Sequence, residues 1–389
     1  MGKANIGRPA AQAIVAPRPR NGMRAKERHL LHVMPSFDVG GIQVRLARTI
    51  NRLGGRYRHT LVAIDGRVGA RSLLNCERIA FRTAPRPTFL DPLALLSCAR
   101  AIRATAPDLL ITYNWGSVDW AMANRLGPRL RHVHFEDGFG PEEADRQFLR
   151  RRVYRRIALR RAAAVVVPSH KLETIAASAW GVAARRIRYV ANGVDAERFI
   201  RPALPAHPAA LRRPGETLVG TVAPLRPEKN VARLIRAFAS VAGRFSTRLI
   251  IAGEGAERPG LETLARQLGL GDRVVFVGHV AAPETVLQAL DVFAMTSQTE
   301  QMPLSLLEAM ASGLPVLATD VGDIGLIVAE ENRRYVIARD DEARLAIGLG
   351  ELIADPVLRR QLGAQNRARV LAEYREEFMI ANLDAIFAL

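Results

Sequence analysis

Cysteine is nearly absent from this 389-residue chain. Cys76 and Cys98 are the only two, too few for a disulfide framework and in no metal-ligand spacing, so a reducing compartment is expected. Long apolar runs are missing as well, and no segment approaches the ~18 to 20 apolar residues that a membrane span requires. The first 28 residues, a mixture of Pro, Ala, Gly and Arg, lack the continuous apolar core of a signal peptide and read as a disordered basic arm. The expected location is therefore cytoplasmic, with a peripheral position on the inner face of the membrane open to it. Aromatic residues are only 6% of the chain, and no recognised nucleic-acid-reading motif is present, so a nucleic-acid partner is not expected. Acidic residues are the minority, 38 Asp+Glu against 56 Lys+Arg for a net charge of +18, with most of the excess from Arg. That balance points to a polyanionic partner, either an anionic membrane surface or a phosphorylated substrate.

What is present reads as a globular α/β chain of two domains. HLLHVM (29–34) fits a buried strand and is followed by Gly40-Gly41 and a helix carrying Ile42, Leu46, Ile50 and Leu53 on one face. A strand, a glycine pair and a helix start can form an anion-facing corner, because exposed helix N–H groups favour negative charge. A tight turn needing positive φ is the other reading of the pair. Short apolar runs at 59–65, 108–114, 131–137, 163–169 and 187–193 alternate with helical patterns such as Pro92 to Thr105. This rhythm predicts a doubly wound parallel sheet with ligands bound beyond the strand ends, near Asn114, His134 to Asp137 and Asn192-Gly193. The Pro- and Ala-rich stretch 198–216 reads as a linker between a first domain (29–197) and a second doubly wound domain (217–365). A helical tail (366–389) has apolar positions that call for a surface, and the first domain is a plausible one.

Two stretches stand out chemically. In Asp145 to Arg161, Phe148, Leu149, Val153, Ile157 and Ala158 gather near one side, while Arg150, Arg151, Arg152, Arg155, Arg156, Arg160 and Arg161 occupy the rest. Such a helix either lies on anionic lipid or packs on its own sheet with a solvated Arg face. In Thr299 to Pro315, Glu300 falls in a loop, Pro303 at a helix start and Glu308 on a nearly all-apolar helix. A carboxylate on a buried helix needs a partner: the hydroxyl groups of a ligand, or a capped backbone or Arg within the protein.

Glu300 and Glu308 in E(x7)E spacing, EAMASGLPVLATDVGD after them, LRPEKN (225–230), NGVD (192–195) and the Gly-Gly corner together resemble the family-four retaining glycosyltransferases of GT-B fold. The resemblance covers nearly the whole chain after residue 29. It implies two Rossmann-like domains facing each other across a cleft, an N-terminal acceptor side and a C-terminal nucleotide-sugar side. Glu308 would bind the ribose hydroxyls of the donor. Glu300, with the backbone N–H groups of Gln301 and Met302, would hold the donor sugar, and Lys229 would meet the diphosphate. The Arg that the family carries before this lysine is replaced by Pro224, leaving Arg226 to take its role. Gly40 and Gly41 would approach the donor phosphate or the acceptor, and His134 would face the donor sugar from the strand end, with a satisfied core histidine as the other reading. Glu136, Asp137 and Asn114 would lie on the acceptor side.

No cofactor or metal is implied, since no Asp-x-Asp triplet lies near these residues and cationic side chains can meet the diphosphate. The expected partners are a nucleotide-sugar donor, a glycan or polyprenyl-linked acceptor and an anionic membrane surface, as in cell-envelope polysaccharide or lipopolysaccharide synthesis. A nucleotide-sugar epimerase of the same fold is the second reading, and a basic nucleic-acid-binding protein the third.

Overall fold

The computed structural model describes residues 27–83, 91–139, 143, 147–201 and 212–389. Residues 1–26 of the expected basic arm and 202–211 of the expected linker lie outside these.

Seven strands form the first sheet: β1 (Arg28–Met34), β2 (Tyr57–Ala63), β3 (Ile79–Arg82), β4 (Leu109–Tyr113), β5 (His132–Phe135), β6 (Ala164–Val167) and β7 (Ile187–Tyr189). Their order is β3-β2-β1-β4-β5-β6-β7. The second sheet contains β8 (Thr217–Val222), β9 (Thr247–Ala252), β10 (Val274–Gly278), β11 (Val292–Met295), β12 (Val316–Thr319) and β13 (Val336–Ile337), in the order β10-β9-β8-β11-β12-β13. Every pairing in both sheets is parallel. The reason lies in composition: β4, β5, β6, β9, β11 and β12 are buried at every position, as strands covered by helices on both faces must be. The edge strand β3 alternates in exposure. Neither β3 nor the two-residue β13 stands out in the sequence as an apolar run.

Helices Pro92–Thr105, Val118–Leu126, Leu149–Leu159 and His170–Ser178 cover one face of the first sheet. The other face is covered by helix Gly41–Leu53 and by the last helix, Glu376–Phe387, whose Met379, Leu383, Ile386 and Phe387 join the core made by Leu30, Met34, Leu61 and Phe135. Helix Pro356–Glu373 runs unbroken past residue 365, and the chain returns to the first domain at Tyr374–Glu376.

The two passages between domains lie side by side. Val194 donates to Tyr374 O at 2.9 Å and accepts from Glu376 N at 3.0 Å. A Cβ on Gly193 would stand 2.8 Å from Arg375 O and from Glu376 Cα, so this close approach needs the glycine. No helix among the described residues is long and apolar enough to cross a membrane.

Candidate functional site

In a doubly wound sheet, ligands bind outside the carboxyl ends of the strands where the strand order reverses. The reversal lies between β1 and β4 in the first sheet and between β8 and β11 in the second. β1 leads into Gly40 and helix Gly41–Leu53, and β4 ends at Asn114. β8 leads into Arg226 and Lys229, and β11 into Glu300. The candidate residues therefore fall at the switch points of both sheets.

Helix Gly41–Leu53 opens with Gly40 in extended backbone, no side-chain cap and no acidic residue in its first turn. Its first N–H groups are left for an anion. Gly41 faces the second domain, where a Cβ on it would lie 3.7 Å from Leu304 Cδ1, at the start of helix Leu304–Ala311. On the second-domain side, Lys229 Nζ pairs with Glu300 Oε1 at 2.5 Å, and Ser297 Oγ donates to the same oxygen at 2.8 Å. Arg226 lies on the same turn, its side chain exposed, with its carbonyl accepting from Lys229 N at 3.0 Å.

The loop carrying Glu300 is held tightly. Gly322 has φ +60°, and a Cβ there would stand 2.3 Å from Glu300 O, which limits that position to glycine. Gln301 Oε1 accepts from Ser169 Oγ at 2.7 Å, and Met302 O accepts from Asn192 Nδ2 at 2.6 Å. Both donors belong to the first domain. Asp323 also crosses the seam, accepting from the backbone N–H of His170 at 2.6 Å and of Lys171 at 3.3 Å, and so caps helix His170–Ser178.

Glu308 is 8% exposed on helix Leu304–Ala311. Burial pushes its carboxyl above the usual carboxylate range, while Arg48 and Arg198 pull the other way. Arg48 Nη2, from the first domain, is 3.9 Å from Glu308 Oε1, beyond hydrogen-bond reach. A pocket of about 220 Å³ beside this pair is lined by Arg48, Asn51, Arg52, Asp195, Arg198 and Glu376.

Two expectations need correction, His134 as a residue facing the donor sugar and Glu136 as an acceptor-side residue. His134 is fully buried within β5, bonded through Nδ1 to Thr112 Oγ1 at 2.8 Å and lying 3.6 Å from Glu136. Strand alternation turns it, with His132, away from helix Gly41–Leu53, so it does not line the cleft. Glu136 is also fully buried and pairs with Arg155 Nε at 3.2 Å. Asp137 takes the strand-end position instead. Its carboxylate meets Arg45 at 2.5 and 2.8 Å, and its N–H donates to Asn114 Oδ1 at 2.8 Å. Asn114 has φ 55° and ψ 180°, outside the left-handed helical well and in a region ordinarily left to glycine.

Sequence reasoning missed the arginines of helix Gly41–Leu53. Gly41, Arg45, Arg48 and Arg52 recur at i, i+4, i+7 and i+11, one helical face. Arg45 reaches Asp137 and Asn192, Arg48 faces Glu308, and Arg52 pairs with Glu376 at 3.1 Å and Asp195 at 3.6 Å. The spacing is a usable signal, set beside the apolar face of Ile42, Leu46, Ile50 and Leu53.

Residues 39–198 match the Glycosyltransferase Family 4 pattern, and residues 206–369 match glycosyl transferases group 1. The 2-deoxystreptamine glucosyltransferase of Streptomyces kanamyceticus is 33% identical over 230 residues, 57% of this chain and 56% of the relative. The D-inositol 3-phosphate glycosyltransferase of Nocardia farcinica (strain IFM 10152) is 30% identical over 284 residues, 66% of this chain and 61% of the relative. The matched stretches thus span about half to three fifths of these curated relatives. Among solved structures, Anabaena HepE in complex with UDP and glucose superposes with a TM-score of 0.78 at 20% identity, covering 93% of this chain and all of that one. The apo form of the lipopolysaccharide outer core galactosyltransferase WaaB superposes with a TM-score of 0.67 at 16% identity, covering 92% and 99%. At these identities the structural likeness speaks to the fold.

Proposed function

Because the chain belongs to the group 1 glycosyl transferases and has their GT-B fold, we propose that it moves a sugar from a nucleotide diphosphate sugar to a glycan or lipid-linked acceptor. The transfer would proceed with retention at the anomeric carbon, in cell-envelope polysaccharide synthesis. One observation carries this reading: Glu300, paired with Lys229 from the turn after β8, and the underpaired, buried Glu308 sit on one loop-helix unit whose start, Leu304, meets Gly41 at the open N-terminus of helix Gly41–Leu53.

Each residue type suits its part. Glu308 can accept from a vicinal diol such as that of ribose, and Glu300 from hydroxyls of the donor sugar. As the sugar–phosphate bond breaks, the sugar becomes oxocarbenium-like and negative charge grows on the departing diphosphate. Lys229, Arg226 and the first N–H groups of helix Gly41–Leu53 would stabilise that charge, and losing one such donor typically costs about 10² to 10³ in rate. The departing phosphate can take the acceptor's proton, so no protein base is assigned. No metal is assigned either, and transfer is expected to survive a chelator. The chain would act in the cytoplasm at the anionic inner face of the membrane, consistent with its net charge of +18.

The test is a thermal-shift screen against nucleotide sugars, followed by product analysis with and without acceptor. A ligand that binds only the folded protein raises its melting temperature, by about 2.7 kcal/mol of stability at a hundred times Kd. The reading predicts a shift with one or a few nucleotide sugars and acceptor-dependent product. Conversion of the nucleotide sugar without acceptor would identify an epimerase, and no shift with any donor would overturn the proposal.

A further inference from the structure

Resting on the donor-site reading above, we propose that Asn192 is a positioning residue that sets the geometry of the donor-sugar loop from the opposite domain. Asn192 follows β7, at the first passage between domains, and is 8% exposed. Its Nδ2 donates to Met302 O at 2.6 Å, its Oδ1 accepts from Arg45 Nη1 at 2.7 Å, and its backbone N–H points to Met302 Sδ at 3.1 Å. Arg45 can only donate and a carbonyl can only accept, so the amide has a single orientation. Arg45 in turn grips Asp137, whose N–H is held by Asn114.

The result is a continuous chain, Asn114–Asp137–Arg45–Asn192–Met302, from the acceptor-side strand ends to the residue two places after Glu300. It holds the loop at Met302, while Asp323 N donates to Gln301 O at 3.2 Å and Gly322 packs on Glu300 O. The first of these anchors comes from the opposite domain and the other two from the loop's own domain. The setting of Glu300 against the sugar therefore depends on how the two domains meet. No hydrogen bond or ion pair joins Asn192 to Glu308 or Lys229. Removing the Asn192 anchor should thus disturb the sugar end of the site and leave the nucleotide end intact.

The discriminating substitution is Asn192→Asp. It keeps the size and the acceptor facing Arg45 but sets a carboxylate oxygen, which cannot donate, against Met302 O. Asn192→Ala serves as a second variant with no added charge. Three measurements are made on each full-length protein: the affinity for UDP and GDP, kcat and KM for transfer, and hydrogen–deuterium exchange of the 298–303 segment without ligand. A displacement of about 1 Å at a reacting centre can cost about 10²-fold in rate, so kcat should fall by about that factor. Affinity for whichever nucleoside diphosphate binds the wild type should stay within about twofold, and exchange at 298–303 should rise.

Wild-type kcat in both variants, or loss of nucleoside diphosphate affinity in step with kcat, would overturn the positioning role. If the wild type binds neither nucleotide and transfers nothing, the donor-site reading fails. Exchange at 298–303 then decides the structural claim alone, and unchanged exchange in both variants would end it.

Discussion

In the proposed donor site, function and stability pull Glu308 in opposite directions. Its carboxylate is buried with its pKa raised, so the folded state favours the protonated form and ionisation at neutral pH weighs against folding. Arg48, at 3.9 Å without a hydrogen bond, compensates only in part. A purely structural glutamate would be better paired than this. Glu308→Gln keeps the shape and removes the charge, so its melting temperature should equal or exceed that of the wild type. Hydrogen bonds to charged groups contribute about 1.5 to 3 kcal/mol, so affinity for the nucleotide that binds the wild type should fall roughly 10- to 100-fold. A calorimetric titration beside a melting curve tests both halves. Undiminished affinity would remove Glu308 from the ribose role, and a large drop in melting temperature would return it to a structural one.

At the scale of elements, helix Leu149–Leu159 is oriented by one arginine. Arg155 is fully buried, pairing with Glu136 at 3.2 Å and Glu143 at 3.4 Å, with its guanidinium 4.8, 5.2 and 5.4 Å from the rings of Trp115, Trp180 and Phe139. Arg155 thus leaves the solvated face on which the sequence pattern put it, because two buried carboxylates and three aromatic faces outweigh the drive to expose one charge. With Arg155 turned inward, Leu149, Val153 and Ile157 face outward at 70%, 48% and 45% exposure. They form a stripe at i, i+4 and i+8, with Arg150 on one flank, Arg152 and Arg156 on the other, and Arg160 and Arg161 just past the helix end. An apolar centre with a cationic rim fits an anionic lipid interface. Each Arg near such a surface contributes about 1 kcal/mol. Changing Arg150, Arg152, Arg156 and Arg161 to Gln should therefore abolish most cosedimentation with phosphatidylserine-containing vesicles while sparing binding of soluble donor. Equal sedimentation of variant and wild type would show that lipid is not the partner of this stripe.

Across the whole molecule, the sequence made the alternation of strands and helices legible, because buried parallel strands are short apolar runs with a clear rhythm. It also marked Glu300 and Glu308 by their seven-residue separation and Lys229 by the LRPEKN run, although the Lys229–Glu300 pair joins positions 71 apart. It did not show which residue of His134 to Asp137 faces the cleft, because a strand end shifted by one position reverses the face. Nor could it show Arg45 reaching Asn192, Ser169 reaching Gln301, or Asp323 capping helix His170–Ser178, contacts between residues more than a hundred positions apart. The histidines inside the first sheet belong to the same hidden set. His32 Nε2 meets His59 Nδ1 at 3.0 Å and His32 Nδ1 meets Tyr113 at 2.9 Å, while the ring of Phe387, from the last helix, stands edge-on to His32 at 5.7 Å. Burial lowers the pKa of His29 and His32, and brings His59 to about 4 and His132 to about 3. Unfolded, each would titrate near 6.5. Below that pH the unfolded chain therefore binds protons that the folded chain refuses. Their contribution to stability is full above about 6.5 and is lost as pH falls toward the folded values. The slope approaches about 1.4 kcal/mol per pH unit for each of His32, His59 and His132. The melting temperature should thus be clearly lower at pH 5 than at pH 7, with hydrogen exchange in helix Glu376–Phe387 among the first to rise, since Phe387 of that helix packs on His32. Equal melting temperatures at the two pH values would mean that these histidines can take up protons without leaving the fold.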